Sequence, residues 1–502
     1  MPDFVWHARH NAASAERAKP IEADRVLGGK KFYITTTLPY VNADPHIGFA
    51  LEIIQADVLA RYHKNLGEDV FFNTGVDEHG LKIFRKAQES NMDAHAYCDV
   101  YAKKFDDLKR ALNLSYNNFI RTTDERHIKA AQEFWLRCQT NGDIYKKNYK
   151  SKYCVGCEME KTNSELENGR CPVHPNLELE IIDEENYFFK LSKYQDKLIE
   201  LYKKNYDFVI PQSKLNEISE FAKRGLQDFS ISRLKEKLPW GVPVPGDDKH
   251  VMYVWFDALV NYISCLGWPK DQKKFKDFWP GTQIAGKDNL RHQALMWQAM
   301  LMSAGLPNSK QVFIHGFITA GGQKMSKSLG NVINPFELVE KYGADAVRYY
   351  LLREIPSAED GDFTYEKFEA RYNSDLAGGI GNLVARLLGI AGKSEVNKAK
   401  PTKKTSDKIE KTKKDYKLSL EKFKFNEALA VVWELISYCD KYINDEKLWE
   451  TKKPEVINDL FYTLDEISNL LLPFLPETAE KIKKAVSPPA VGKKSEALFP
   501  RV

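Results

Sequence analysis

Two short segments of this sequence carry side chains suited to handling a triphosphate. Lys324-Met325-Ser326-Lys327-Ser328 brackets a small hydroxyl residue with two lysines, just after Gly321-Gly322. Far upstream, Pro45-His46-Ile47-Gly48-Phe49 falls where a strand hands over to a helix. Backbone N–H groups at a helix start face outward, and the helix dipole favours anions. Gly48 lets a nucleotide approach the backbone, and His46 can donate to a phosphate. Transfer of an acyl group onto an α-phosphate expels pyrophosphate, and mobile ammonium groups such as those of Lys324 and Lys327 stabilise the charge that builds on phosphoryl oxygens. Flanking glycines suit a loop that closes over ATP. Together the two segments read as halves of one ATP site that activates an acid by adenylation.

A third group lies between them. Cys154 and Cys157 form one short pair, and Cys171 and His174 form another. Each pair can present both side chains to one tetrahedral ion, and Gly156 permits the tight knuckle. The reading is one structural Zn²⁺ whose four protein ligands leave no open position for catalysis. Asp77-Glu78-His79-Gly80 follows a strand end, where open parallel sheets bind ligands, and a carboxylate there can hold an ammonium group. Trp255, Ala258 and Tyr262 suit either an aromatic pocket or the core. The run from Gly281 to Lys287 has phosphate-loop spacing, but Asp288 follows where Ser or Thr would ligate magnesium, so that reading is rejected.

The elements that must position these residues are legible in part. Residues 31–37 and 69–73 are rich in β-branched and aromatic types and read as strands. Between them Leu51, Ile54, Val58 and Tyr62 follow helical spacing, which completes a βαβ unit of a parallel sheet. Strand-like segments resume at 252–256, 282–285 and 311–315, and from about 375 onward the pattern is helical. The expected fold is α/β: a Rossmann-like doubly wound parallel sheet split by a zinc-knuckle insertion, followed by an all-α bundle. The expected boundaries are a disordered lead over 1–28, a first catalytic half over 29–125, the insertion over 126–250 and a second catalytic half over 251–322. A segment carrying the lysine loop then spans 323–374, and a helical domain spans 375–502.

Bulk properties narrow the class. No apolar run approaches the ~20 residues of a membrane span. The 74 basic and 70 acidic side chains leave a net charge of +4, so any nucleic-acid contact must come from local patches. Seven cysteines, three of them clustered with His174, point to a reducing cytoplasm with one metal site and not to a disulfide framework.

These motifs resemble those of the class I aminoacyl-tRNA synthetases, and within them the methionyl-tRNA synthetases. The matching stretches are Pro39 to Asn42 with His46 to Gly48, Asp77 to Gly80, Tyr253 to Ala258, Gly286 to Asp288 and Lys324 to Ser328, and the likeness extends over about positions 30 to 500. The resemblance implies methionine activation with ATP and transfer to the 3′ end of tRNA(Met). It implies that His46, Gly48, Lys324, Ser326 and Lys327 handle ATP with Mg²⁺ on the phosphates, and that Asp77 holds the amino group of methionine. Leu38, Tyr40, Trp255, Ala258 and Tyr262 then shape the thioether pocket, with His292 or its neighbour Gln293 facing it. Asn382, Arg386 and Trp449 match positions the family uses on the CAU anticodon. Phe49 stands where the family has a second histidine, and Leu448 stands where it usually has proline before the tryptophan. The appended tRNA-binding domain of some relatives does not follow Val502, so a monomer is expected. Two other readings are an isoleucine-, valine-, leucine- or cysteine-type class I synthetase and a non-catalytic RNA-binding relative. A short insertion and intact Lys324, Lys327 and Asp77 argue against them.

Overall fold

The computed structural model describes residues 29–157, 159–161, 163–325, 330–392, 400–486 and 497–502. The lead over 1–28, together with Ser326 and Lys327, lies outside the described residues.

The chain begins with β1 (Lys31–Thr36), α1 (Ile47–Asn65) and β2 (Asp69–Val76). α2 (Leu81–Glu89) and α3 (Ala94–Ala111) lead to β3 (Asn118–Arg121) and α4 (Glu125–Thr140). β1 and β2 are buried along both faces beyond their first one or two residues, as expected of strands covered by helices on each side. α1 is buried nearly all round, from Ile47 to Tyr62 with few breaks, so it is a central helix and not a one-stripe surface helix.

An antiparallel arm follows: β4 (Ile144–Cys154), the short β5 (Met159–Lys161) and β6 (Glu180–Phe189). The chain then supplies β7 (Val209–Ile210), which pairs with the Gln311–His315 strand. The six-stranded sheet runs β3-β2-β1, then the Thr282–Gly286 strand, the Gln311–His315 strand and β7. Every neighbour in it is parallel. The segment expected as an insertion therefore returns one strand to the catalytic sheet. Strand order reverses between β1 and the Thr282–Gly286 strand, which opens a crevice at their carboxyl ends.

One expected strand is mostly helix. The 252–256 segment is strand only to Met252, the end of an Asp247–Met252 strand, and Val254–Leu259 is helical. The β-rich local sequence yields to burial of Asp257, whose carboxylate must meet partners from two other elements (below). After the lysine loop, helices Pro335–Tyr342 and Ala344–Arg353 carry the chain to the bundle. That bundle is built on helices Asn382–Ala391, Lys403–Glu421, Phe425–Asp445 and Pro454–Leu471. A single apolar core runs from α1 and α3 through Val347 and Leu351 into Leu429, Leu435 and Leu464 of the bundle.

Candidate active site

The segments that follow β1 and β2 at this crevice carry His46, Gly48 and Asp77. β1 ends at Thr36, and residues 37–46 cross the sheet edge before α1 begins. His46 is the N-cap of α1, and its Nδ1 accepts from the Gly48 N–H at 3.0 Å. That bond leaves the ring proton on Nε2, pointed away from the backbone and free to donate. The ring keeps an open edge to solvent while protein crowds its other sides, and this desolvation lowers its pKa from the ordinary value. A Cβ at Gly48 would lie 2.9 Å from the imidazole, so only glycine lets His46 fold over the helix start. The same Cβ would lie 4.0 Å from Cε of Met325, and the Ile47 N–H donates to the Ile333 carbonyl at 3.1 Å. Both flanks of the lysine loop thus rest on the first turn of α1. Lys324 ends the exposed strand Gln323–Lys324. Phe49 turns into the core, edge-on to Phe105 with ring centroids 5.3 Å apart, so its side chain does not face the crevice.

Behind His46 lies a buried pair. Glu52 Oε1 accepts from the Thr37 N–H at 2.7 Å, and its Oε2 meets His315 Nε2 at 2.9 Å. His315 Nδ1 lies 2.7 Å from the Gly316 carbonyl. Both ring nitrogens face acceptors only, so both carry protons. Burial opposes that charge, but Glu52 outweighs it and holds His315 above its ordinary pKa. Lys287, from the rejected phosphate-loop run, pairs instead with Asp360 at 2.6 Å.

Across the crevice, Asp77 follows β2 and is buried. Its loop is stitched to the segment after β1: the Asp77 N–H donates to the Pro39 carbonyl at 3.0 Å, and the Val41 N–H donates to the Asp77 carbonyl at 3.3 Å. Tyr40 lies edge-on to Trp255 at 6.0 Å, and Trp255 stacks on His292 at 3.7 Å. Leu38 is half-buried, while Ala258 and Tyr262 are buried. Gln293 Nε2 donates to the Tyr262 hydroxyl at 2.7 Å, so His292 and Gln293 contact different members of the set. They share a π turn, His292–Met296, whose wider winding lets adjacent residues address separate walls. Among the described residues neither ring nitrogen of His292 has a hydrogen-bond partner, and burial pushes its pKa down to about 3, which keeps it neutral. A cavity of about 300 Å³ opens alongside, bounded by Gly80, Leu81, Tyr253, Val254 and the arm residues Tyr153 and Ile182.

The arm carries the cysteine cluster. Donor atoms of Cys154, Cys157, Cys171 and His174 all lie within 4.8 Å of one another. Cys157 Sγ is 3.5 Å from Cys171 Sγ and 3.2 Å from His174 Nδ1, and Cys154 Sγ is 3.8 Å from His174 Nδ1. A tetrahedron with metal–sulfur bonds of about 2.3 Å has edges of about 3.8 Å, so these donors fit one tetrahedral ion. A Cβ at Gly156 would strike the His174 ring at 2.6 Å. Burial first, then the charges of Lys324, Lys82 and Lys161, lower the His174 pKa to about 4 and leave the imidazole neutral, as a ligand must be.

In the bundle, Asn382 is exposed at the start of its helix, and Arg386 lies one turn further on the same face. Arg386 is held by Asp440 at 3.0 Å and by Asn444 at 2.8 Å. Trp449 follows the end of the Phe425–Asp445 helix, which carries Asp440 and Asn444, and is 48% exposed, which is unusual for so large an apolar ring.

One cluster had no local signal in the sequence. His79 Nδ1 lies 2.6 Å from Asp257 Oδ2, and His127 Nε2 lies 2.8 Å from Asp257 Oδ1. In the sequence His79 stands out only as part of the Asp77–Gly80 tetrapeptide.

The family described as "tRNA synthetases class I (M)" matches residues 32–178 and 156–388, and "Anticodon-binding domain of tRNA ligase" matches 403–499. The chain is 42% identical over 477 residues to the methionine–tRNA ligase of Thermotoga maritima, covering 91% of this chain and 75% of the relative. It is 44% identical over 474 residues to that of Nostoc sp., covering 90% and 89%. A solved methionyl-tRNA synthetase of Mycobacterium tuberculosis in complex with methionyl-adenylate superposes with a TM-score of 0.88 at 35% identity, over 94% of this chain and 100% of that one. A profile spanning most of residues 32–388, and relatives above 40% identity over nine-tenths of the length, establish that the chain belongs to the methionine branch of the class I tRNA synthetases.

Proposed function

We propose that the crevice at the start of α1 is where this chain carries out its two-step reaction. The chain activates L-methionine with ATP and charges tRNA with it. The methionine carboxylate attacks the α-phosphorus, pyrophosphate leaves, and a hydroxyl of the terminal ribose of tRNA then takes the methionyl group while AMP departs. The observation that supports this reading is the approach of Met325 and Ile333, described residues on either side of 326–329, to the first turn of α1 that His46 caps.

In this reading His46 donates its Nε2–H to a phosphate oxygen, and Gly48 leaves the backbone bare for the nucleotide. Lys324, Ser326 and Lys327 close on the triphosphate, which Mg²⁺ accompanies, and neutralise the charge that grows as pyrophosphate leaves. Phe49 supplies no second imidazole, so this load falls on His46 and the lysines. Asp77 takes the ammonium group of methionine. Leu38, Tyr40, Trp255, Ala258, Tyr262 and His292 enclose the side chain, whose sulfur packs well against aromatic edges. Zn²⁺ held by Cys154, Cys157, Cys171 and His174 would fix the tip of the arm and supply rigidity, not chemistry. Asn382, Arg386 and Trp449 read the anticodon, with the indole as a stacking platform.

ATP–pyrophosphate exchange across a panel of amino acids tests the assignment. Methionine alone should support exchange. Lys327→Ala should lower exchange by about 100-fold or more while methionine still binds, measured by equilibrium dialysis. Unchanged turnover in that variant would remove the lysine from the mechanism.

A further inference from the structure

Asp257 is fully buried, as is His127, and His79 is nearly so. An isolated buried carboxylate costs far more than it returns unless both oxygens are paired. Here both are, each by a different imidazole. Burial works to raise the Asp257 carboxyl, and the two rings outweigh it and hold it at about 2. The chain of contacts continues, since His127 Nδ1 meets Ser264 Oγ at 2.9 Å.

Aspartate, histidine and serine in series have the composition of an acyl-transfer triad. Ser264 is 1% exposed, however, and the Asp257 and His127 side chains have no exposure, so no substrate reaches the hydroxyl and nucleophilic chemistry is excluded. What the network does is join elements. His79 lies two residues beyond Asp77, Asp257 lies two beyond Trp255 and one before Ala258, and Ser264 lies two beyond Tyr262. α4 contributes His127 and serves as the backing. A further tie runs from Asn73 Nδ2 on β2 to Asn261 Oδ1 at 3.3 Å.

We propose that Asp257 is a positioning residue for methionine: through His79 and His127 it locks the loop that presents Asp77 against the helix that presents Trp255 and Ala258. This rests on the reading of Asp77 and the aromatic set as the methionine site. The ammonium and the thioether of one small ligand are gripped by different elements, so their separation must be fixed, and misplacements of about 1 Å at such sites cost on the order of 100-fold. Neutral amides or a larger apolar residue would fill the space but would not bind two ring N–H donors at once.

Asp257→Asn keeps the shape and turns one acceptor into a donor facing an imidazole. Steady-state pyrophosphate exchange should show KM for methionine raised about tenfold with KM for ATP unchanged. A purely structural role would lower the active fraction, and hence kcat, and leave both KM values alone. His79→Asn is the second variant, and it should give the same split; the double variant should be no worse than Asp257→Asn, because the two act as one unit. If Asp257→Asn does not fold, His79→Asn alone carries the test. Asp77→Asn separates the two levels of the argument. If it leaves KM for methionine unchanged, the site reading fails. If it raises KM while Asp257→Asn and His79→Asn do not, the site stands and the positioning role is overturned.

Discussion

Arg348 is the residue whose removal tests the packing logic most sharply. It is completely buried, and its guanidinium meets Asp57 of α1 at 2.8 Å. Its remaining donors reach the carbonyls of Phe474 at 2.7 Å, Pro473 at 2.8 Å and Leu112 at 3.2 Å. One side chain thus ties the catalytic sheet, the segment after the lysine loop and the helical bundle. Arg348→Met keeps most of the stem and deletes the charge. Breaking a buried pair from one side costs about 3–5 kcal/mol. Asp57 retains Arg61 at 2.8 Å and the Ser115 N–H and hydroxyl at 2.6 Å, which argues for the low end. Three orphaned carbonyls, at about 1–3 kcal/mol for each one fully desolvated, argue for the high end. We therefore expect about 4 kcal/mol, read as a lowered urea midpoint by tryptophan fluorescence. tRNA charging should fall further than pyrophosphate exchange, because the bundle is loosened from the sheet. Arg348→Lys should recover only part, since one ammonium cannot reach four acceptors in a plane. Asp57→Asn combined with Arg348→Met should cost less than the two changes summed. A loss below about 1 kcal/mol for Arg348→Met would refute the reasoning, since desolvation would then have cancelled the attraction.

Three other outcomes are expected. The purified protein should carry one zinc per chain by elemental analysis, with three sulfur ligands and one nitrogen by X-ray absorption; Cys157→Ser should lose it, and full tRNA charging by a metal-free preparation would contradict the knuckle's role. His315 is held above its ordinary pKa of 6.5, so the stability it contributes is fully present below that pH and is lost as pH rises through the folded value. Thermal midpoints between pH 6 and 9 should fall less steeply in Glu52→Gln, and parallel slopes would count against the pair. Phe49→His should destabilise by about 1–3 kcal/mol, because it buries a polar ring against Phe105, and it should not speed pyrophosphate exchange. About a tenfold gain in exchange would mean that the side chain at this position does reach ATP.

The sequence exposed whatever is encoded over short distances. β1, α1 and β2 follow from β-branched runs and helical spacing, and the knuckle follows from cysteine pairs within one hairpin. The approach of Met325 and Ile333 to residues 47–48 has no local signature and is suggested in the sequence only when the two distant motifs are read jointly. The helix at Val254–Leu259 was not legible, because its reason is tertiary: the partners of Asp257 lie 130 and 178 residues away in the chain. β7 is two residues long and carries no pattern that would assign it to the catalytic sheet. The stacking of His292 on Trp255 and the bond from Gln293 to Tyr262 depend on a π turn that spacing rules for α-helices do not anticipate.

The strand order also bears on biogenesis. β1 pairs on one side with β2 but on the other with the Thr282–Gly286 strand. During synthesis from the amino terminus, the middle of the sheet stays half-built until residue 286 has left the ribosome. For that interval a strand that is buried in the finished fold presents an unpaired rim to the cell. Chaperone demand for this chain should therefore peak midway through translation, and a stall just before that point should yield nascent chains far more prone to clump than a stall just after it.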